Sequence, residues 1–274
     1  MNKINILAMQ MDVTFDKESN LSKVRTFMNL QTKIVDIVVL PEMFICPYDT
    51  GVFSDYAEEQ GGYIWSELSC IAKEYSIYLV AGSVPEKIEN HIYNTSYVFD
   101  RNGEEIAKHR KMHLFDIDIE GGQYFKESDI LSAGDNVSVF DTEFGRIGLC
   151  ICYDIRFPEL SRIMVDMGAK MIIIPAAFNM TTGPDHWDIL FRTRAVDNQV
   201  FMLGVSAARN TSSSYTAWGH SILVSPFGKI INQLNEDEGL LYETIDFDEV
   251  DKVRKELPLL QHRRKDLYTL SLSR

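Results

Sequence analysis

Several features that would identify a function class are scarce or missing in this chain. It has four cysteines in 274 residues, at positions 46, 70, 150 and 152. That is too sparse for a disulfide framework, so reduced thiols and a cytoplasmic setting are expected. No apolar run approaches the ~18 to 20 residues that span a bilayer. The opening segment Met1 to Gln10 looks like a strand and lacks the basic start and apolar core of a leader peptide. Positive charge is in deficit, with 27 Lys and Arg against 40 Asp and Glu for a net −13. A phosphate backbone needs clustered cations, so neither nucleic acid nor membrane is expected as a partner. There is no GxGxxG, no Walker A loop and no HExxH, which removes the usual support for nucleotide or zinc chemistry. Linker-like stretches, low-complexity segments and repeats of 20–50 residues are also missing.

What is present is ordinary for a soluble enzyme: 45% hydrophobic and 24% charged residues, enough to bury a large core. Short β-branched runs alternate with longer amphipathic segments. Strands are expected at 4–9, 37–40, 77–83, 93–99, 147–152, 171–175, 200–207, 221–225, 229–232 and 240–245, and helices at 18–33, 62–75, 158–167 and 186–198. Alternation favours an α/β fold, with antiparallel pairs where strands are doubled, near 77–99 and 221–245. The expectation is a single domain over 1–274, with 257–274 as an extended C-terminal tail.

One segment stands out for chemistry. In Gly148-Leu149-Cys150-Ile151-Cys152-Tyr153-Asp154-Ile155-Arg156-Phe157-Pro158-Glu159-Leu160 a cysteine ends an apolar run. Polar residues follow, then a proline suited to a first helical turn. A thiol at a strand-to-helix corner projects from the sheet edge as a nucleophile elbow. Two upstream segments join it: Leu40-Pro41-Glu42-Met43-Phe44 after an apolar run, and Lys108-His109-Arg110-Lys111-Met112-His113-Leu114-Phe115 before Gly121-Gly122. Taken singly, Glu42 or Lys111 is an ordinary solvated charge and Cys152 an ordinary packing residue.

Together, in the order Glu, Lys, Cys, these segments resemble the nitrilase superfamily of carbon–nitrogen hydrolases. The resemblance implies a four-layer αββα sandwich and the triad Glu42, Lys111 and Cys152. Cys152 would be the nucleophile and Glu42 the base, later returning its proton to the leaving ammonia. Lys111 and the backbone N–H of Tyr153 would hold the oxyanion. Glu127, in Tyr124-Phe125-Lys126-Glu127-Ser128, matches a second, structural glutamate of the family. Thiol, carboxylate and ammonium supply every role, so neither metal nor organic cofactor is expected. The resemblance also implies a homodimer or higher homo-oligomer, with the tail lying across a partner.

Within the superfamily the chain looks most like the omega-amidases, which hydrolyse 2-oxoglutaramate and 2-oxosuccinamate to the 2-oxo acid and ammonia. The stretches that carry this are Ala177 to Trp187, Arg192 to Gln199 and Ala217 to Ser221. Such a small-molecule amide substrate needs a cation for its remote carboxylate. Arg156, four residues beyond Cys152, suits that role, with a hydroxyl from Thr182 and the Phe178 ring as further contacts. Alternatives remain. A nitrilase, an aliphatic amidase or an N-carbamoyl amidohydrolase would use the same triad. A Cys–His pair with His109 or His113 is conceivable, although neither has an evident Asn or Asp to orient it. Cys150 and Cys152, alternating along one strand, could hold a metal. An idle interaction protein is the remote reading.

Overall fold

The computed structural model describes residues 3–118 and 124–273. The chain runs β1 (Lys3–Gln10), α1 (Lys17–Leu30), β2 (Ile37–Val39), α2 (Phe53–Tyr56), α3 (Tyr63–Tyr75), β3 (Tyr78–Val80), β4 (Val84–Ile88), β5 (His91–Phe99), β6 (Glu105–Arg110), β7 (Asp116–Asp118) and β8 (Tyr124–Lys126). It continues through β9 (Ser138–Thr142), β10 (Gly145–Leu149), α4 (Pro158–Asp166), β11 (Met171–Ala176), α5 (Gly183–Asn198), β12 (Phe201–Ser206), β13 (Ile222–Val224), β14 (Ile230–Gln233), β15 (Gly239–Asp246) and α6 (Asp248–Glu256).

Two large sheets result. One has the order β15-β1-β2-β3-β5-β4, with β6 also pairing β5. The other has the order β14-β13-β12-β11-β10-β9. The expected antiparallel pairs are present, since β3 and β4 pair β5, and β13 pairs β14. After β14 the chain crosses between sheets, and β15 pairs antiparallel with β1.

Burial explains the layering. Ile4, Ile6 and Ala8 of β1 face Ile147, Met171, Ile173 and Leu203 in a core between the sheets. The alternate residues Leu7 and Met9 pack outward on Leu21, Val24, Leu68 and Ile71 of α1 and α3. On the other side Ile172 and Ile174 pack on Met164, Trp187 and Phe191 of α4 and α5. Strands covered on both faces read as continuous apolar runs, as Met171–Ala176 does with every residue buried. The result is the four-layer αββα sandwich.

Beyond Leu257 the described tail forms turns only, with Leu267, Tyr268 and Leu272 exposed. No helix among the described residues is long and apolar enough to cross a membrane.

Candidate active site

Parallel pairing of β1 with β2 and of β10 with β11 brings several strand ends to one edge of the sandwich. Glu42 lies in the turn after β2. There Ser83 Oγ accepts the Met43 N–H at 3.0 Å, and Gly82 at φ +48 passes so close that a Cβ would stand 2.0 Å from the Pro41 carbonyl oxygen. Lys111 follows β6 directly, its N–H donating to the Asn94 carbonyl at 2.9 Å. Cys152 was expected on the strand itself. Instead β10 stops at Leu149, and Cys152 opens a 3-10 turn over Cys152–Arg156 at φ +46. That left-handed conformation disfavours a side chain with a Cβ, and such strain gathers at functional sites. It also takes Cys152 off the strand, so the two cysteines do not share a strand face.

The four residues expected from the resemblance meet in one buried cluster. Lys111 Nζ donates to Glu42 Oε1 at 2.9 Å, to Glu127 at 2.9 Å and to the Tyr48 hydroxyl at 3.2 Å. Its three protons are thereby all engaged. Asn94 Nδ2 donates to the same Glu42 oxygen at 2.8 Å. Glu127 accepts the Phe115 N–H at 2.6 Å and the Tyr48 hydroxyl. Gly121-Gly122, next to this segment in sequence, lies outside the described residues.

The electrostatics follow from burial. Burial raises the Glu42 pKa. Lys111 opposes the shift and Glu127 adds to it, leaving the carboxyl above its ordinary value. The Cys152 thiol is pushed well up by burial and by the Glu42 charge, which outweigh Lys111 and the Ala177 N–H. Burial alone would lower the Lys111 pKa, but the two carboxylates reverse this and keep it cationic. The thiol is thus neutral at rest, beside a carboxyl that burial and Glu127 hold above its ordinary value and so make a stronger base. Such a pair can pass the thiol proton to Glu42 as the sulfur attacks. Tyr153 N–H belongs to the first turn of the 3-10 segment, where N–H groups lack intrahelical acceptors.

Arg156, Phe178 and Thr182 line one cleft together with Cys152, Phe115 and Tyr153. The Arg156 guanidinium stacks over the Phe178 ring at 4.8 Å and faces Tyr153 at 5.5 Å. Its Nη1 lies 3.0 Å from His186 Nδ1, and its Nε is buried without a partner. It makes no ion pair with any carboxylate among the described residues, and burial lowers its pKa. Thr182 stands at the N-cap of α5 but makes no capping bond. Its hydroxyl donates to Asn179 Oδ1 at 3.0 Å. Trp187 is wholly buried behind Phe178, as core.

Sequence reasoning missed the second layer of the site, and in one case was wrong. Both histidines do have an orienter: Asp154 accepts His109 Nε2 at 3.0 Å and His113 Nδ1 at 2.7 Å. It also accepts the Ile151 N–H at 3.0 Å and the His113 N–H at 2.9 Å. One carboxylate thus ties the lysine segment to the nucleophile turn. Neither histidine is placed as a base for Cys152, because Glu42 is the acceptor beside the thiol. Asp154 lies in the quoted cysteine motif, so a signal for it existed. Tyr48 and Asn94 had none. Arg194 of α5 also acts here, donating to the Ile155 and Arg156 carbonyls at 2.9 and 3.1 Å. Among the described residues no group of three or more His, Cys, Asp or Glu is arranged to hold a metal.

Known proteins of similar sequence and fold give the family. The carbon–nitrogen hydrolase family profile matches residues 4–255. The chain is 44% identical over 271 residues to the omega-amidase NIT2 of Mus musculus, covering 98% of each protein. It is 42% identical over 275 residues to that of Homo sapiens, covering 100% of both. Its structure matches Saccharomyces cerevisiae Nit3, a member of branch 10 of the nitrilase superfamily, with a TM-score of 0.87. Identity is 40%, with 96% of this chain and 97% of that one covered. The C. elegans NitFhit protein matches with a TM-score of 0.90 at 31% identity, over 99% of this chain and 67% of that chain.

Proposed function

The chain belongs to the carbon–nitrogen hydrolase family, and from that premise we propose that it is an omega-amidase using Glu42, Lys111 and Cys152. Its substrates are the ω-monoamides of short 2-oxo dicarboxylic acids, 2-oxoglutaramate and 2-oxosuccinamate. The observation that carries this reading is Arg156, a half-buried guanidinium in the same cleft as Cys152 with no carboxylate partner among the described residues. A protein that desolvates an arginine without pairing it leaves a binding site for an anion. The 44% identity to an omega-amidase supports the same choice.

In the proposed reaction the Cys152 thiol gives its proton to Glu42 while the sulfur adds to the amide carbonyl. Lys111 and the Tyr153 N–H stabilise the oxyanion. Because all three Lys111 protons are engaged, the lysine acts through its charge or by giving up its longest contact, the 3.2 Å bond to Tyr48. Collapse of the intermediate returns the proton from Glu42 to the departing nitrogen, leaving a thioester and free ammonia. Glu42 then takes a proton from water as its oxygen attacks the thioester, and the proton goes back to the sulfur as the acid leaves. Glu127 and Tyr48 hold Lys111 in place. No metal or organic cofactor enters the scheme. The exposed Leu267, Tyr268 and Leu272 of the tail suit a proposed homodimer contact.

The test is direct ammonia release from 2-oxoglutaramate beside neutral amides, N-carbamoyl amino acids and nitriles, with and without EDTA. The proposal requires the highest kcat/KM for the 2-oxo ω-amides and no effect of EDTA. Preference for a nitrile or carbamoyl substrate would overturn it.

A further inference from the structure

The site has a second opening, on the Glu42 side. A cleft separate from the one over Cys152 is lined by Glu42, Tyr48, Asp12, Val13, Asn210 and Ser213. Among the described residues the two clefts share only Ala177 and Tyr215 as walls; Cys152 and Arg156 do not line the second, and Glu42 does not line the first. Tyr215 is fixed there by its hydroxyl, which donates to the Ala177 carbonyl at 2.5 Å. Four of its lining residues are alanines, Ala177, Ala207, Ala208 and Ala217. Its free space is about 30 Å³. A water needs roughly 10 to 15 Å³, so about two fit.

Two independent observations indicate what belongs there. Glu42 Oε1 accepts from Lys111 and Asn94, whereas Oε2 is buried with no nitrogen or oxygen partner among the described residues, the Cys152 thiol being the group beside the carboxyl. A carboxyl oxygen without a nitrogen or oxygen partner, on a residue lining a cleft with room for water, is suited to a bound water. The charges of the two openings also differ. Among the described residues the second cleft carries Asp12 and Glu42 and no cation, while the first carries Arg156 and no acid. An anionic acyl chain is drawn to the first and repelled from the second, which favours small neutral or cationic species.

We propose that the Asp12–Glu42 cleft is the passage by which ammonia leaves and hydrolytic water reaches Glu42, separate from the opening that admits the substrate's carboxylate. This rests on the amidase reading above. After the C–N bond breaks, Glu42 has given its proton to the nitrogen, and ammonia departs past Asp12. Water follows inward, loses a proton to Glu42 Oε2 and adds its oxygen to the thioester carbon. The C–S bond breaks, and the proton passes to the Cys152 thiolate.

The experiment narrows the cleft from two walls, with Ser213→Phe and Val13→Phe, and adds the milder Ala208→Val in case either large residue prevents folding, judged by circular dichroism. Each enzyme is given succinamate, an ω-amide that keeps a remote carboxylate but has no ketone for hydroxylamine to convert to an oxime, together with hydroxylamine, which attacks the same thioester to give a hydroxamate and free the Cys152 thiol. The hydroxamate-to-acid ratio depends only on how the acyl-enzyme partitions, not on the amount of active enzyme. Narrowing should cut that ratio at least 5-fold, because hydroxylamine is larger than water, and further with N-methylhydroxylamine. A folded variant too narrow to turn over should accumulate the thioester on Cys152. An unchanged ratio overturns the proposal, and so does a folded, inactive variant with no thioester. Wild-type enzyme that releases ammonia from no amide would instead sink the amidase reading itself.

Discussion

Replacing Arg156 by methionine should separate function from stability. In the folded protein the guanidinium is half-buried, stacked 4.8 Å over Phe178, and paired with no carboxylate among the described residues. Its stability terms oppose each other. Cation–π contacts of roughly 0.5 to 1 kcal/mol each and one hydrogen bond of about 1 kcal/mol favour it. Desolvation of an unpaired charge disfavours it, in the direction of its lowered pKa. Arg156→Met should therefore change unfolding free energy by no more than about 1 kcal/mol, read by urea titration. Binding has no such cancellation. Truncating one side of a buried arginine–carboxylate pair typically costs about 2 to 5 kcal/mol. At the lower bound, kcat/KM for 2-oxoglutaramate falls by at least ~30-fold. A neutral amide of similar length should lose much less. Arg156→Lys keeps the charge but not the planar fork and should fall between wild type and methionine. Equal losses on charged and neutral amides, or a destabilisation of several kcal/mol, would make Arg156 structural and refute this reasoning.

Two further outcomes follow from the buried carboxylates. In Asp154→Asn an amide nitrogen must face two of the N–H groups that the carboxylate now accepts, which should cost about 3 to 5 kcal/mol in urea unfolding at pH 7. Burial alone would raise the Asp154 pKa, but the bonds from His109 and His113 hold it far below the carboxylate range. Its stabilisation is thus complete above the unfolded value near ~4 and is lost only as pH falls towards the folded one. The gap between wild type and variant should accordingly be flat at neutral pH and narrow in acid. In Glu127→Gln the loss of a charge that raises the Glu42 pKa should move the acid limb of the kcat/KM profile to lower pH. A kcat loss with an unmoved limb would mean that Glu127 acts on Lys111 alone.

How much was legible in sequence depended on how local the signal was. Strands buried on both faces, such as β1 and β11, were readable as apolar runs. β4 was not, because Pro85 and a charged pair break its pattern; as a sheet-edge strand it tolerates both. β6 and α6 were hidden by charge, and α6 buries only Val250 and Val253. Within the site, the residues carrying Glu42, Lys111 and Cys152 sit in compact motifs. Tyr48 and Asn94 gain their roles from partners 79 and 52 residues away, which no local pattern encodes. The φ of +46 at Cys152 was also invisible, so the strand was extended three residues too far.

The central claim is that Cys152 carries the acyl group. Acid-quenching the enzyme during turnover of 2-oxoglutaramate, followed by intact-mass measurement and peptide mapping, tests it most directly. The account predicts a hydroxylamine-labile acyl adduct on the peptide containing Cys152, no adduct on Cys46, Cys70 or Cys150, and no turnover by Cys152→Ala. An active Cys152→Ala enzyme, or an adduct on any other residue, would contradict it.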